Sequence, residues 1–129
     1  MIVLVCGGRD YGGDYEEVAH VFSVLTDVHT NTPIDKIVQG GAKGADRLAY
    51  MWAEANDVIY TTYKANWEKY GRSAGHRRNA DMLKQEDIDL VVAFPGGAGT
   101  ASMVHMALNK GIEVRRFDDL SINQNQVVL

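Results

Sequence analysis

Glycines and the cations beside them are the residues of this chain best suited to chemistry, and the chemistry is anion binding. The glycines fall at 7, 8, 12 and 13, at 40, 41 and 44, at 71 and 75, at 96, 97 and 99, and at 111. All but Gly111 follow an apolar run that reads as a β-strand. In a doubly wound sheet such connections lie outside the carboxyl ends of the strands, where these folds take ligands. Glycine there lets the backbone come close to a ligand, and the N–H groups opening the next helix then point at an anion. The implied ligand carries phosphate. Turn tightness alone is the second reading of each cluster.

Pro95-Gly96-Gly97-Ala98-Gly99-Thr100 is the sharpest cluster, set between a buried strand and a helix. Gly96, Gly97 and Gly99 suit a phosphate cradle, and Thr100 can either cap the helix or place its hydroxyl on a phosphate oxygen. Gly40-Gly41-Ala42-Lys43-Gly44-Ala45-Asp46 resembles a phosphate loop without the order of a Walker A motif. Here Lys43 could neutralise phosphate, while Asp46 caps the helix or receives ribose hydroxyls. Gly7-Gly8-Arg9-Asp10 adds a guanidinium that suits phosphate or an ion pair with Asp10.

The segment from Asn66 to Asn79 is polar and carries Arg72, Arg77 and Arg78. Ser73 or Ala74 opens a helix there, which brings Arg78 and Asn79 to the glycine edge; Arg72 and Arg77 read as a solvated face. Trp67 could stack on a base or close the core over a loop. The histidines at 20, 29, 76 and 105 show no metal-ligand spacing, so no metal and no cofactor is expected. Neither Cys6 nor Ser102 sits in a nucleophile motif.

The elements that must hold these residues alternate along the chain. Apolar runs at Ile2–Cys6, Lys36–Gln39, Val58–Tyr63, Leu90–Phe94 and Ile112–Phe117 predict five strands, and the third looks peripheral. Helical patterns lie around 14–29, 45–56, 74–86 and 100–110. In the second, Leu48, Met51, Trp52 and Ala55 form the apolar stripe. The fold class is α/β, a Rossmann-like, doubly wound and mainly parallel five-stranded sheet with helices on both faces. Residues 1–120 form the domain, and 121–129 read as a loose tail, a late edge strand or a partner contact.

At 129 residues, 46% hydrophobic and 23% charged, the chain can bury one core. A net charge of −4 argues against non-specific nucleic-acid binding. One cysteine excludes an internal disulfide, and no run reaches membrane-spanning length, so a cytoplasmic location and no membrane partner are expected.

Four ordered motifs carry a resemblance: GGRDY at 7–11, QGGAKGADRLA at 39–49, ANWEKYGRSAGHRRNADM at 65–82 and VVAFPGGAGTASMV at 91–104. Together they resemble the YspA-type branch of the SLOG superfamily, which also includes LOG-type nucleoside monophosphate phosphoribohydrolases. The resemblance implies a Rossmann-like sheet whose glycine loops bind a nucleotide or a derivative such as an ADP-ribose- or NAD-like molecule, and it implies a homo-oligomer. The LOG enzymes pair a P-G-G-x-G-T-x-x-E loop with an M-H-x-R-K-x-x-M segment. Arg78 matches their arginine and Met82 their methionine, whereas Asn79 replaces their lysine and Met103 their glutamate. Without that carboxylate, the resemblance implies a binding protein, a sensor or sequestering module. The alternatives are an N-glycosidic or phosphoanhydride hydrolase with Arg78 as its catalytic residue, and single-stranded nucleic-acid binding through the basic, aromatic 64–78 segment.

Overall fold

The computed structural model describes residues 1–117 and 127–128. Strands β1 (Ile2–Cys6), β2 (Lys36–Gln39), β3 (Ile59–Thr62), β4 (Leu90–Ala93) and β5 (Glu113–Arg116) run parallel, in the spatial order β3-β2-β1-β4-β5. A two-residue strand, β6 (Val127–Val128), extends the sheet antiparallel to β5. Of the readings for 121–129, the edge strand therefore describes 127–128; residues 118–126 and 129 lie outside the described residues.

Among the described residues there are five helices, α1 (Tyr15–Asn31), α2 (Ala45–Ala55), the single-turn α3 (Trp67–Tyr70), α4 (Ala74–Gln85) and α5 (Ala98–Asn109), with a 3₁₀ turn at Gly71–Ser73 between α3 and α4. The continuous apolar runs of β1 and β4 follow from burial on both faces. Val3, Val5, Leu90 and Val92 face a core built with α1 and α2, around the fully buried Trp52 and Phe94. Leu4, Cys6, Val91 and Ala93 face the other way, against Met82, Met103, Val104 and Ala107 of α4 and α5. Among the described residues no helix is long and apolar enough to cross a membrane.

Two details of the sequence reading change. In α2 the buried stripe is Ala45, Leu48, Ala49, Trp52 and Ala53, while Met51 and Ala55 are exposed. The small residues set this face because α2 starts hard against the β1 loop: a Cβ on Gly7 would lie 2.6 Å from that of Ala45. The last helix begins two residues earlier than the pattern suggests, with Gly97 as its N-cap and no side-chain cap bond. Thr100 is thus the third helical residue, and its capping role falls away.

The connections through α1 and α2 cover one face of the sheet and those through α4 and α5 the other, so the chain leaves the adjacent strands β1 and β4 in opposite directions. That divergence opens a crevice at the carboxyl edge, the switch point of a doubly wound sheet.

Candidate nucleotide-binding cleft

A cleft of about 990 Å³ occupies this crevice, at the upper end of the range for ligand pockets. Its walls bring together every candidate residue except Gly44: Gly7, Gly8 and Arg9 after β1, Gly40, Gly41, Lys43 and Asp46 after β2, Trp67, Arg78 and Asn79 before and within α4, and Gly96, Gly97, Gly99 and Thr100 after β4. Gly44 sits just behind, as the N-cap of α2.

The glycines divide into two kinds. Gly8 donates its N–H to Pro95 O at 2.7 Å and accepts from Tyr11 N and Ala45 N, so its backbone polar groups serve the fold. A Cβ on Gly96 would press to 2.7 Å from Gly8 N, so these loops touch because neither has a side chain. Gly97 and Gly99 are different. Both are exposed, and a Cβ at either position would meet nothing within 4 Å. They leave the first turn of α5 bare at the cleft, with its leading N–H groups uncapped by any side chain.

Asp46 does not cap α2. It is 6% exposed, and its Oδ2 turns back to accept the Ala42 N–H at 3.2 Å, closing the Gly40–Lys43 loop. Burial pushes its carboxyl up to about 6, against the opposing pull of the Ala42 N–H, the Arg78 guanidinium and the Gly40 N–H. Arg78 lies flat on the same loop: Nη1 donates to Gly40 O at 2.7 Å and to Tyr63 O at 3.4 Å, and Nε donates to Asn79 Oδ1 at 3.0 Å. Asn79, 4% exposed, donates from Nδ2 to Gly99 O at 3.1 Å.

Among the described residues no ion pair joins Arg9 to Asp10, which overturns that reading of the GGRD cluster. Trp67 does not close the core either: it is 59% exposed, stands on the cleft wall and rests against Gly75. Cys6 is buried on the cleft lining, and burial raises its thiol above the ordinary cysteine range, which disfavours the thiolate. His76 is exposed, 3.2 Å from Ser102 Oγ, and is not part of the wall. Arg77 packs over the Tyr70 ring at 4.5 Å and donates to Ser73 Oγ, a surface arrangement.

Two charged wall residues were not among the site candidates read from the sequence. Lys64 follows β3 and lays its stem near Gly41; an exposed lysine after a peripheral strand looks like any solvated side chain. Glu17 accepts from Gly12 N and Gly13 N at 3.0 and 3.1 Å, while Asp14 Oδ1 accepts from Glu17 N. The Asp14-x-x-Glu17 spacing is a capping-box signal.

A family model described as YAcAr, the YspA, cpYpsA-related SLOG family, matches residues 1–70. The chain belongs to this SLOG family. The gene 61 protein of Mycobacterium phage D29 is similar along almost the whole length, with 34% identity over 125 residues that cover 91% of this chain and 96% of that protein. The SLOG match spans the Gly7–Asp10 and Gly40–Asp46 loops and reaches Trp67, and it points to a nucleotide-related function. Arg78, Asn79 and the Gly96–Thr100 loop lie in the half beyond it. There Met103, at the glutamate position of the LOG enzymes, is fully buried against the sheet and is not a wall residue.

Proposed function

We propose that this protein binds a phosphorylated nucleoside, or a dinucleotide-like derivative such as ADP-ribose, in the cleft and holds it without cleaving it. The observation that carries the reading is the group of exposed cations on the cleft wall in a chain of net charge −4. Arg9, Lys43 and Lys64 are exposed on the cleft, and among the described residues none has an ion-pair partner. They share the wall with the uncapped first turn of α5, whose N–H groups and dipole favour an anion. Trp67 offers an indole face to the base.

Retention without turnover is favoured by the carboxylates. Cleavage of an N-glycosidic bond needs a carboxylate that can stabilise oxocarbenium character or orient water. Met103 can do neither, Glu17 is engaged by the Gly12 and Gly13 N–H groups and Asp46 by its own loop, which leaves the exposed Asp10 as the one wall carboxylate without such a contact among the described residues. The test is native mass spectrometry of the protein with AMP, ADP-ribose and NAD, reading bound ligand and released base together. Bound ligand without product is expected. Released base or ribose phosphate, lost in Arg78→Ala, would instead assign a hydrolase, and no bound ligand would end the nucleotide reading.

A further inference from the structure

Asn79 occupies an unusual position between two loops that share no strand. Its orientation is fixed by chemistry: arginine offers only donors and a carbonyl only accepts, so Oδ1 must face Arg78 Nε and Nδ2 must face Gly99 O. The contacts continue on both sides. Arg78 Nη1 reaches Gly40 O, Asp46 holds Ala42 N–H of the same loop, and Gly99 belongs to the open first turn of α5. A part-buried line of hydrogen bonds, Gly40–Arg78–Asn79–Gly99, with Asp46 holding Ala42 of the same loop, therefore runs along the cleft wall from the β2 loop to the β4 loop.

We propose that Asn79 is a positioning residue that couples these loops, so that an anion on the α5 turn and the arrangement of the Gly40–Lys43 loop depend on each other. The proposal rests on the cleft being a nucleotide site. It depends on this chain's own residue: the lysine of the LOG pattern has three donors and no acceptor, so it could not receive Arg78 Nε. Aspartate would keep the bond to Arg78 and set an acceptor against Gly99 O, cutting the line at one end. Arg78→Lys would cut it at the other, because a single ammonium cannot hold Gly40 O and Asn79 Oδ1 in the fork geometry of a guanidinium.

The experiment follows backbone amide resonances of isotope-labelled protein titrated with inorganic phosphate, an anion small enough to occupy one loop, and separately with ADP-ribose. In the native chain, phosphate should move amides of Gly97–Thr100 and of Gly40–Lys43 together. In Asn79→Asp the Gly40–Lys43 response should disappear while Gly97–Thr100 still responds, and ADP-ribose should bind about 5- to 10-fold more weakly, within the usual range of coupling between sites. Arg78→Lys should behave in the same way, and it keeps the test alive if Asn79→Asp does not fold. A native chain in which phosphate moves only one loop overturns the coupling, as do variants in which both loops still respond. ADP-ribose binding with no response to phosphate also overturns it but leaves the nucleotide reading standing. If neither compound moves either loop, the nucleotide reading itself fails.

Discussion

Gly97→Asp should make the protein slightly more stable and nearly unable to bind nucleotide, and the opposed signs make it a demanding test. Gly97 is the N-cap of α5 with φ −101, so a side chain meets no left-handed penalty, and its Cβ would enter open space. Aspartate is the better cap by a few tenths of a kcal/mol, and its charge at a helix N-terminus adds roughly 0.3–1 kcal/mol. A total near 1 kcal/mol should raise Tm by about 4 °C in a chain of this length. The same carboxylate would stand where the ligand phosphate meets the α5 turn. Two unit charges about 4 Å apart at an effective dielectric constant of 20 repel by about 4 kcal/mol, roughly a thousandfold in affinity. Gly97→Asn separates the effects, since it caps without charge and should bind far better than Gly97→Asp. Thermal denaturation and calorimetric titration with AMP and ADP-ribose read both quantities. Native affinity in Gly97→Asp would refute the phosphate position, and a lowered Tm would refute the open N-cap.

Gly44→Ala should unfold the protein at a temperature lower by 8 °C or more: Gly44 has φ +80, costing an L-residue about 1–2 kcal/mol, and its Cβ would press to 2.7 Å from Arg9 O. Unchanged Tm would contradict this packing. Trp67 should report ligand, since Trp52 is fully buried and tied to Thr26 Oγ1; AMP should quench fluorescence in the native chain but not in Trp67→Phe, and Trp67→Ala should weaken binding by about 1–3 kcal/mol. Quenching that survives Trp67→Phe would remove the stacking role. Asp46 titrates at about 6 in the fold against 3.8 ordinarily, so the native state takes up the proton first. Its stabilising contribution is complete below the ordinary value and is lost as pH rises through about 6, by roughly 3 kcal/mol in all. Urea midpoints should therefore show Asp46→Asn gaining on the native chain between pH 4 and 8, and a constant gap would exclude the raised carboxyl.

Strands were the most legible elements, because burial on both faces turns β1 and β4 into unbroken apolar runs that no surface segment imitates. Helix faces were less so. Met51 continues the spacing from Leu48 and is more apolar than Ala49 or Ala53, yet close packing on the β1 loop selects the small residues and turns Met51 outward. The start of α5 was hidden because Gly97-Ala98-Gly99 carries poor local helix propensity, and α3 left only one signal, Asn66 accepting from Lys69 N. In the cleft, glycine loops announced themselves through composition. The Asn79–Gly99 contact could not, because it joins residues 20 apart through side-chain geometry that no local pattern encodes.

The two halves of the cleft also carry different information about chemistry. Residues 1–70, which match the SLOG family, supply the β1 and β2 loops, and an anion could be met there by Arg9 and Lys43 in a binder or an enzyme alike. The discriminating positions lie beyond residue 70. Met103 belongs to the face of α5 packed on β4 and β5, where an ionised side chain would lose its hydration with no partner among Leu4, Val91 and Val114. The loss of the carboxylate is therefore built into the core packing of α5 rather than confined to one wall residue. Asn79 departs from the LOG pattern on the helix packed against it, and there it replaces a cation with a group that joins the loops. At both positions this chain has a side chain that serves the fold where the LOG pattern has an ionised one, which agrees with the proposal of a site that binds without cleaving.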